Sequence, residues 1–278
     1  MRTGARSRLL AWSAILAGLV SGCTPAVSVD EAATVAPATS ATATAVGTGA
    51  TPSPPATPSP SPSAVPAQSP APTPPPAPQP FAINLYQEGD FVPQYTFDWC
   101  VAASIQMAHN LLDATGTATW SDPAQQGDLW QRARARSSDS FNGANPYGWA
   151  EVLAQSGMGP YGLVSVADYG SALRTAARAL TDTGRPVGLV MWSGRHAWVM
   201  SGFESIGDPR QFEDYSITGI HVLDPLYPYG SEQWGPSPPP NSLLSPGQLA
   251  TQFVVREPRR WSSNLPAGYL LVLPLGGG

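Results

Sequence analysis

The chain has 278 residues and a formal net charge of -5, with fourteen arginines and no lysine. Without the first 23 residues, which hold three of the arginines and no acid, eleven arginines stand against nineteen carboxylates, a formal charge of -8. This acidic balance argues against a nucleic-acid partner and against a polybasic membrane-binding surface.

The first 23 residues have the pattern of an export signal. Arginines at positions 2, 6 and 8 precede an apolar run that ends in Val20-Ser21-Gly22-Cys23. This ending resembles a bacterial lipobox, in which cleavage precedes the cysteine and its thiol receives diacylglycerol. We therefore expect a lipoprotein signal peptide over 1–23, with Cys23 lipidated and the protein anchored on the extracytoplasmic face of the cell membrane. An ordinary secretory signal and an uncleaved anchor are the alternatives, although the apolar run is short for a spanning helix of about 20 residues.

Residues 24–80 lack the material for a core. They contain no aromatic residue, and 14 of the 30 residues over 51–80 are proline, interleaved with serine, threonine and alanine. This composition is typical of an extended polyproline-type spacer, which over 52–80 reaches roughly 90 Å at about 3.1 Å per residue. We predict a disordered spacer that lifts the following domain off the membrane; a disordered remnant with no required length is the alternative.

Residues 81–278 are predicted to form one domain, because they hold eight of the nine tryptophans and all the tyrosines and phenylalanines. Helices are predicted from a cysteine at position 100 onwards and over 122–136, 147–155, 169–182 and 245–253, with Ser121 capping the second. Strand-like apolar runs follow at 186–192, 196–204, 217–223 and 269–274, the first two forming a hairpin. Helices followed by antiparallel strands indicate an α+β fold.

The first of these helices carries the candidate nucleophile, Cys100, in its first turn. The helix is indicated by apolar residues at spacings of three and four, namely Val101, Ile105, Ala108 and Leu112. With Asp98 as the N-cap, Cys100 lies in the first turn, where unpaired N–H groups and the helix dipole favour a thiolate. If Cys23 is acylated, Cys100 has no cysteine partner in the chain. A small buried apolar residue is the alternative for Cys100.

Two of the three histidines are poorly placed to act as its base. His109 lies nine residues after Cys100 on the same helix, about 900° around and about 13 Å along the axis, so it points away from the thiol. His221 lies three residues before Asp224 within a strand, so these two side chains face opposite ways.

His196 remains as the candidate base. It follows the turn Ser193-Gly194-Arg195 at the start of a strand, which leaves its imidazole at the edge of a cleft. Trp198 and Met200 share its face of the strand and are expected to wall this cleft. A hydrogen-bonded structural histidine is the alternative.

Asp224 is the preferred carboxylate partner of His196. It ends an apolar strand, and Pro225 stops the strand ladder after it, which leaves the side chain at the rim of the sheet. There it would accept a hydrogen bond from the far imidazole nitrogen and fix the tautomer. Asp208 and Asp214 are the competitors, but both belong to a polar stretch typical of a solvated loop.

Gln94 lies six residues before Cys100, a spacing from which its amide could donate to a developing oxyanion. The spacing Gln94-x5-Cys100, the later Gly-x-His-Ala-x-Val over 194–199 and the Leu-Asp-Pro over 223–225 together resemble the papain-like cysteine peptidases, specifically the bacteriocin-processing (double-glycine) peptidase-like group. The resemblance covers roughly residue 81 to the C-terminus. Arg195 departs from the pattern, in which a small residue, commonly glycine, precedes the histidine.

The resemblance implies a papain-like fold and a thiol hydrolase that cleaves peptide amide bonds. Cys100 would attack a carbonyl, Gln94 and the Cys100 backbone N–H would stabilise the oxyanion, and His196, oriented by Asp224, would protonate the leaving amine. We expect a monomer acting on a peptide or protein substrate, with no cofactor and no metal, since no metal-ligand spacing is present.

Two other functions fit the same residues. One is a thiol acyltransferase or wall-peptide amidase of transglutaminase-like type, and the other is a catalytically silent peptide-binding module on the same fold. The double-glycine specificity of the transporter-fused members of that family is not carried over, because that reaction occurs on the cytoplasmic side and we expect this chain to be exported.

Overall fold

A seven-stranded antiparallel sheet forms the centre of the computed structural model, which describes residues 76–137, 143–259 and 264–276. These residues all belong to the compact unit Pro70–Gly278. The predicted signal peptide with Cys23 and the predicted spacer up to residue 75 lie outside the described residues. Within the described part of the chain, no helix has the length and apolar character needed to cross a membrane.

The described residues form nine strands, and two of the strand pairings position the site. They are β1 (Pro80–Asn84), β2 (Tyr161–Val166), β3 (Val187–Met191), β4 (His196–Ile206), β5 (Ser216–Leu223), β6 (Gly230–Ser231), β7 (Gly235–Pro236), β8 (Ser242–Leu244) and β9 (Tyr269–Pro274). The sheet has the order β2-β9-β3-β4-β5-β8, β1 pairs with the second half of β4, and β6 and β7 form a separate ribbon. The β3–β4 hairpin and the β4–β5 pairing bring the start of β4 beside the end of β5.

Among the described residues, five α-helices are placed by local sequence signals and by packing on the sheet. They are α1 (Cys100–Asn110), α2 (Pro123–Arg134), α3 (Pro146–Leu153), α4 (Tyr169–Thr183) and α5 (Pro246–Leu249). A π-helical turn, Ala154–Met158, continues α3, and Gly157 within it has a left-handed backbone conformation. Gly184, also with a left-handed backbone conformation, ends α4. The prediction that Ser121 caps α2 is wrong, because Asp122 accepts the hydrogen bond from the backbone N–H of Gln125.

Both faces of the sheet are covered, so its central strands are apolar on both sides. One cluster joins α1, α2 and α3 to one face and includes Ala197 and Val199 of β4. A second cluster joins α4 and α5 to the other face and includes Trp198 and Met200. Alternate residues of β4 therefore point into different layers, as the two-residue period of a strand requires.

The α+β class with an antiparallel sheet, predicted from the sequence, is confirmed, although the elements do not run as helices first and strands second. Strand β1 precedes all the helices and begins at Pro80, the last residue of the predicted spacer, and β2 lies between α3 and α4. Both are short strands with partly exposed residues, and each takes its register from a distant partner, β4 for β1 and β9 for β2. Their own residues therefore give only a weak signal.

Candidate functional site

A cavity of about 620 Å³ opens between the start of α1 and the β3–β4 turn, and both Cys100 and His196 line it. Cys100 is partly buried and forms no disulfide, whereas His196 is only 6% exposed. Aromatic side chains form much of the remaining wall, namely Phe97, Trp149, Trp192 and Trp234. The structure thus brings the predicted nucleophile and the predicted base to one cleft, although 96 residues separate them along the chain.

His196 is held from behind by Asp224. The imidazole Nε2 lies 2.6 Å from Asp224 Oδ1, and Asp224 is fully buried. The same carboxylate oxygen accepts a hydrogen bond from the backbone N–H of Leu226 at 2.9 Å, which fixes the carboxylate just after β5. Because Nε2 is bound to Asp224, Nδ1 is the ring nitrogen left for Cys100. Asp208 instead binds Arg210 within its own loop.

The surroundings of His196 favour its protonated form. Burial by itself lowers the pKa of this imidazole, but the charge of Asp224, the hydrogen bond to Asp224 and the neighbouring Cys100 side chain outweigh it and raise the pKa to about 9. An imidazolium at neutral pH beside the thiol is the charge arrangement that supports a thiolate.

Cys100 lies in the first turn of α1, as predicted, but the predicted cap is wrong and Cys100 is the first helical residue. The N-cap is Trp99, since the turn closed by the hydrogen bond from Trp99 N to Thr96 O delays the helix by one residue. Asp98 instead lines the cleft, and no side chain among the described residues caps α1. The N–H groups of its first turn, which lack intrahelical partners, are therefore open to an anion beside Cys100.

Gln94 has a different position from the one expected of an oxyanion donor. Its Nε2 donates to the carbonyl oxygens of Thr96 at 3.0 Å and Phe97 at 2.9 Å, which uses both amide hydrogens. Its backbone N–H donates to Pro225 O at 2.8 Å. In this conformation Gln94 shapes the loop that leads to Cys100 and ties that loop to the segment after Asp224.

Two buried glutamines that the sequence analysis missed support the same loop. Gln126 accepts a hydrogen bond from Tyr95 N at 2.9 Å and donates to Pro93 O at 3.1 Å and to Gln106 Oε1 at 2.7 Å. Both glutamines are fully buried. A signal for Gln126 exists, because it precedes Leu129 of α2 by three residues and Ala133 by seven and so belongs to the buried face of that helix.

The wall beside His196 comes from Trp192 and not from the residues predicted. Trp198 and Met200 are fully buried in the layer under α4 and do not line the cleft, because the sheet is covered on that face as well. The Trp192 ring stacks on the imidazole at 4.1 Å between centroids, and its Nε1 donates to Gln252 Oε1 at 2.8 Å.

Trp192 also has a backbone conformation that most residues avoid. Its φ is +56° and that of the following Ser193 is +57°, so the turn holds two consecutive non-glycine residues in the left-handed region. Such residues cost of order 1–3 kcal/mol each and persist only where the surroundings enforce them. Here the hydrogen bond from Trp192 N to Gln252 O at 3.0 Å adds to the side-chain bond and holds the indole over His196.

The described residues contain no group of three or more histidine, cysteine, aspartate or glutamate side chains that could hold a metal ion. His221 lies outside the cleft and has Asn84 and the Asn241 carbonyl as its neighbours at 3.4 Å.

The chain matches no protein-family model, no curated protein and no solved structure. The chemistry of the cleft therefore follows from its own geometry.

Proposed function

We propose that this protein is a thiol hydrolase with a papain-like arrangement, in which Cys100, His196 and Asp224 cleave peptide amide bonds. The observation that carries the proposal is the position of His196, a buried imidazole between the Cys100 side chain and the Asp224 carboxylate at 2.6 Å. The cleft volume of about 620 Å³ lies within the range of small-molecule and peptide side-chain pockets.

In the proposed reaction the Cys100 thiolate attacks the carbonyl carbon of the scissile amide and forms a tetrahedral intermediate. The backbone N–H groups at the start of α1 stabilise its oxyanion. His196 then gives its Nδ1 proton to the leaving nitrogen, the C–N bond breaks and a thioester remains. Water, deprotonated by His196, hydrolyses the thioester and releases the acid and the thiol. Asp224 orients the ring and balances its positive charge throughout.

Gln94 does not stabilise the oxyanion in the conformation described here. Its amide can donate to the oxyanion only after it leaves the carbonyls of Thr96 and Phe97, so we assign it the shaping of the loop before Cys100. The hydrogen bond from Gln94 N to Pro225 O connects that loop to the segment after the carboxylate.

We propose that the enzyme acts on the extracytoplasmic face of the membrane, tethered through lipid on Cys23 and a spacer. The motivation is the lipobox-like Val20-Ser21-Gly22-Cys23 after a basic and apolar leader. Cells fed a radiolabelled fatty acid should label the wild-type chain and not Cys23→Ser; equal labelling of the two would refute the anchor.

The test of the chemistry measures alkylation of Cys100 by iodoacetamide as a function of pH, with the modified residue located by mass spectrometry. We expect reaction to persist well below pH 8.5, the approximate pKa of an ordinary cysteine, because the imidazolium and the helix start favour the thiolate. His196→Ala should remove most of this low-pH reaction and nearly all peptide cleavage. His221→Ala, at a histidine outside the cleft, is the matched control and should leave both unchanged.

Two results would argue against the proposal. An ordinary cysteine profile that His196→Ala does not alter would mean that the pair does not operate. Normal low-pH alkylation without cleavage of any peptide, but with transfer of acyl groups to added amines, would favour the acyltransferase alternative.

A further inference from the structure

We infer that the cleft selects substrates that carry a carboxylate near the scissile bond, and that Arg195 binds this group. The inference rests on the proposed function, because it assigns a substrate class to the same cleft. The carboxylate can come from a C-terminus or from an acidic side chain, and the chemistry of its recognition is the same in both.

Arg195 is placed to meet a bound substrate. It directly precedes His196, its side chain is exposed, and it lines the cavity that contains Cys100. Its Nη1 lies 3.3 Å from Gln233 Oε1, and Gln233 lines the same cavity from the link between β6 and β7. A guanidinium has five N–H donors in a fixed fork, so this contact with a neutral amide orients the group and leaves donors that match a carboxylate.

Two further arginines lie behind the same turn. Gly194 has φ +93° and sits so close to Arg256 that a Cβ placed on it would lie 3.0 Å from Arg256 Cδ. Arg259 Nη2 lies 3.3 Å from Ser193 Oγ. Together with Arg195, three of the fourteen arginines of this lysine-free, acidic chain therefore lie within or against residues 193–195.

These charges lie close enough together to disfavour one another's protonated form. Burial and the neighbouring Arg259 lower the pKa of Arg256, and burial and the neighbouring Arg195 lower the pKa of Arg259. Like charges held together in this way raise the local positive potential, which attracts an anion. Arg256 also donates to the carbonyl oxygens of Leu265 and Pro266, so its position is set by the fold.

The two sides of the cleft carry opposite charges, which determines where a substrate carboxylate binds. Asp98, two residues before Cys100, lines the cavity on the side of α1, whereas Arg195 lines it on the side of the β3–β4 turn. The Asp98 carboxylate repels a second carboxylate on its side of the cavity, and the Arg195 guanidinium attracts one on the other side. The substrate carboxylate therefore lies beside Arg195 and away from Asp98, and the N–H groups of the first turn of α1 remain for the oxyanion.

The experiment compares two small reagents for the same thiol, iodoacetate and iodoacetamide, on the full chain at low ionic strength. The two reagents differ in charge and little in size, so the ratio of their rates at Cys100 reports the potential in the cleft. We expect Arg195→Gln to lower the iodoacetate-to-iodoacetamide ratio about threefold or more, and added salt to reduce the wild-type ratio. Arg195→Lys should keep most of it, since the charge remains.

The matched control is Arg132→Gln, which removes the same charge from an exposed residue of α2 that does not line the cavity. It should leave the ratio unchanged. If Arg195→Gln also leaves the ratio unchanged while Cys100 still reacts at low pH, the carboxylate inference is wrong and the proposed function stands. If Cys100 reacts with both reagents as an ordinary thiol in the wild type, the proposed function fails, and the inference fails with it.

Discussion

Two histidines of this protein lie against tryptophan rings, and their protonation is driven in opposite directions. His109 stacks on Trp120 at 3.6 Å between ring centroids, and His196 stacks on Trp192 at 4.1 Å. Burial lowers the pKa of His109 to about 4, whereas the pKa of His196 is raised to about 9 in spite of burial. The aromatic neighbour is common to both sites, so it does not explain the difference.

The partners of the two rings explain it. His109 Nε2 lies 2.9 Å from Ser156 Oγ, and this hydroxyl already donates to a carbonyl of the preceding helical turn, so it serves His109 as a neutral acceptor. His109 lines a small pocket with Trp120 and Ser156, and Asp113 lines it too. Asp113 accepts hydrogen bonds from Thr115 and Thr117, which lower the pKa of Asp113 to about 2. A carboxylate in the pocket therefore does not charge a histidine unless its oxygens are directed at the ring, as those of Asp224 are at His196.

The largest effect is expected when the carboxylate of Asp224 is removed. Asp224→Ala leaves a buried imidazole without its partner, and the loss of one member of a buried charged pair costs about 3–5 kcal/mol in the free energy of unfolding. Urea denaturation at neutral pH measures it. Asp214→Ala, in an exposed loop, should change the same quantity by less than about 0.5 kcal/mol. Equal effects of the two substitutions would show that the His196 pair contributes nothing to stability.

The second test reverses the charge preference of His196 without a change of shape. In Asp224→Asn the ring keeps a hydrogen-bonding neighbour but loses the negative charge, so burial dominates and the pKa of His196 should fall below its ordinary value of 6.5, as for His109. Titration of the histidine ring resonances by NMR, assigned by single substitutions, measures this. A pKa of His196 that stays near 9 in Asp224→Asn would contradict the explanation.

The shifted pKa values of the two histidines also make the free energy of unfolding depend on pH. The contribution of His196 is fully present below pH 6.5, the ordinary pKa, and is lost as the pH rises through about 9. The contribution of His109 has the opposite sign: it is present above pH 6.5 and is lost as the pH falls through about 4. In Asp224→Asn the alkaline loss due to His196 should therefore disappear, while the acid loss due to His109 remains.

The smallest expected effect is at the other histidine. His109→Phe keeps an aromatic ring on Trp120 and removes the hydrogen bond with Ser156, at a net cost of about 1 kcal/mol at neutral pH. The acid loss of stability should become shallower, and the alkylation rate of Cys100 should stay within about twofold of the wild type because the two pockets are separate. A large fall in that rate would show that the pockets are coupled through α1.

The sequence was sufficient for the features that are local. Helical spacing of apolar residues located α1, and the residue order around Cys100, His196 and Asp224 selected three groups that the structure brings together, whereas Gln94 lies outside the cleft. It was also sufficient to separate His109 from the cleft, because nine residues on a regular helix fix a direction. The α+β class followed from the change of period along the chain.

Only the tertiary structure decided which partner each side chain has. The face on which Trp198 and Met200 lie has its own covering layer, α4 and α5, so these residues pack there and Trp192 walls the cleft instead. The amide of Gln94 is directed at the carbonyls of its own loop, a choice that no spacing reveals. Hydrogen bonds between residues far apart in the chain depend on the packing of several elements at once, and so do the short strands β1 and β2, which pair with distant partners. The longer helices and the central strands have a periodic pattern in their own residues, so the sequence determined those elements and the tertiary structure determined the contacts of the site.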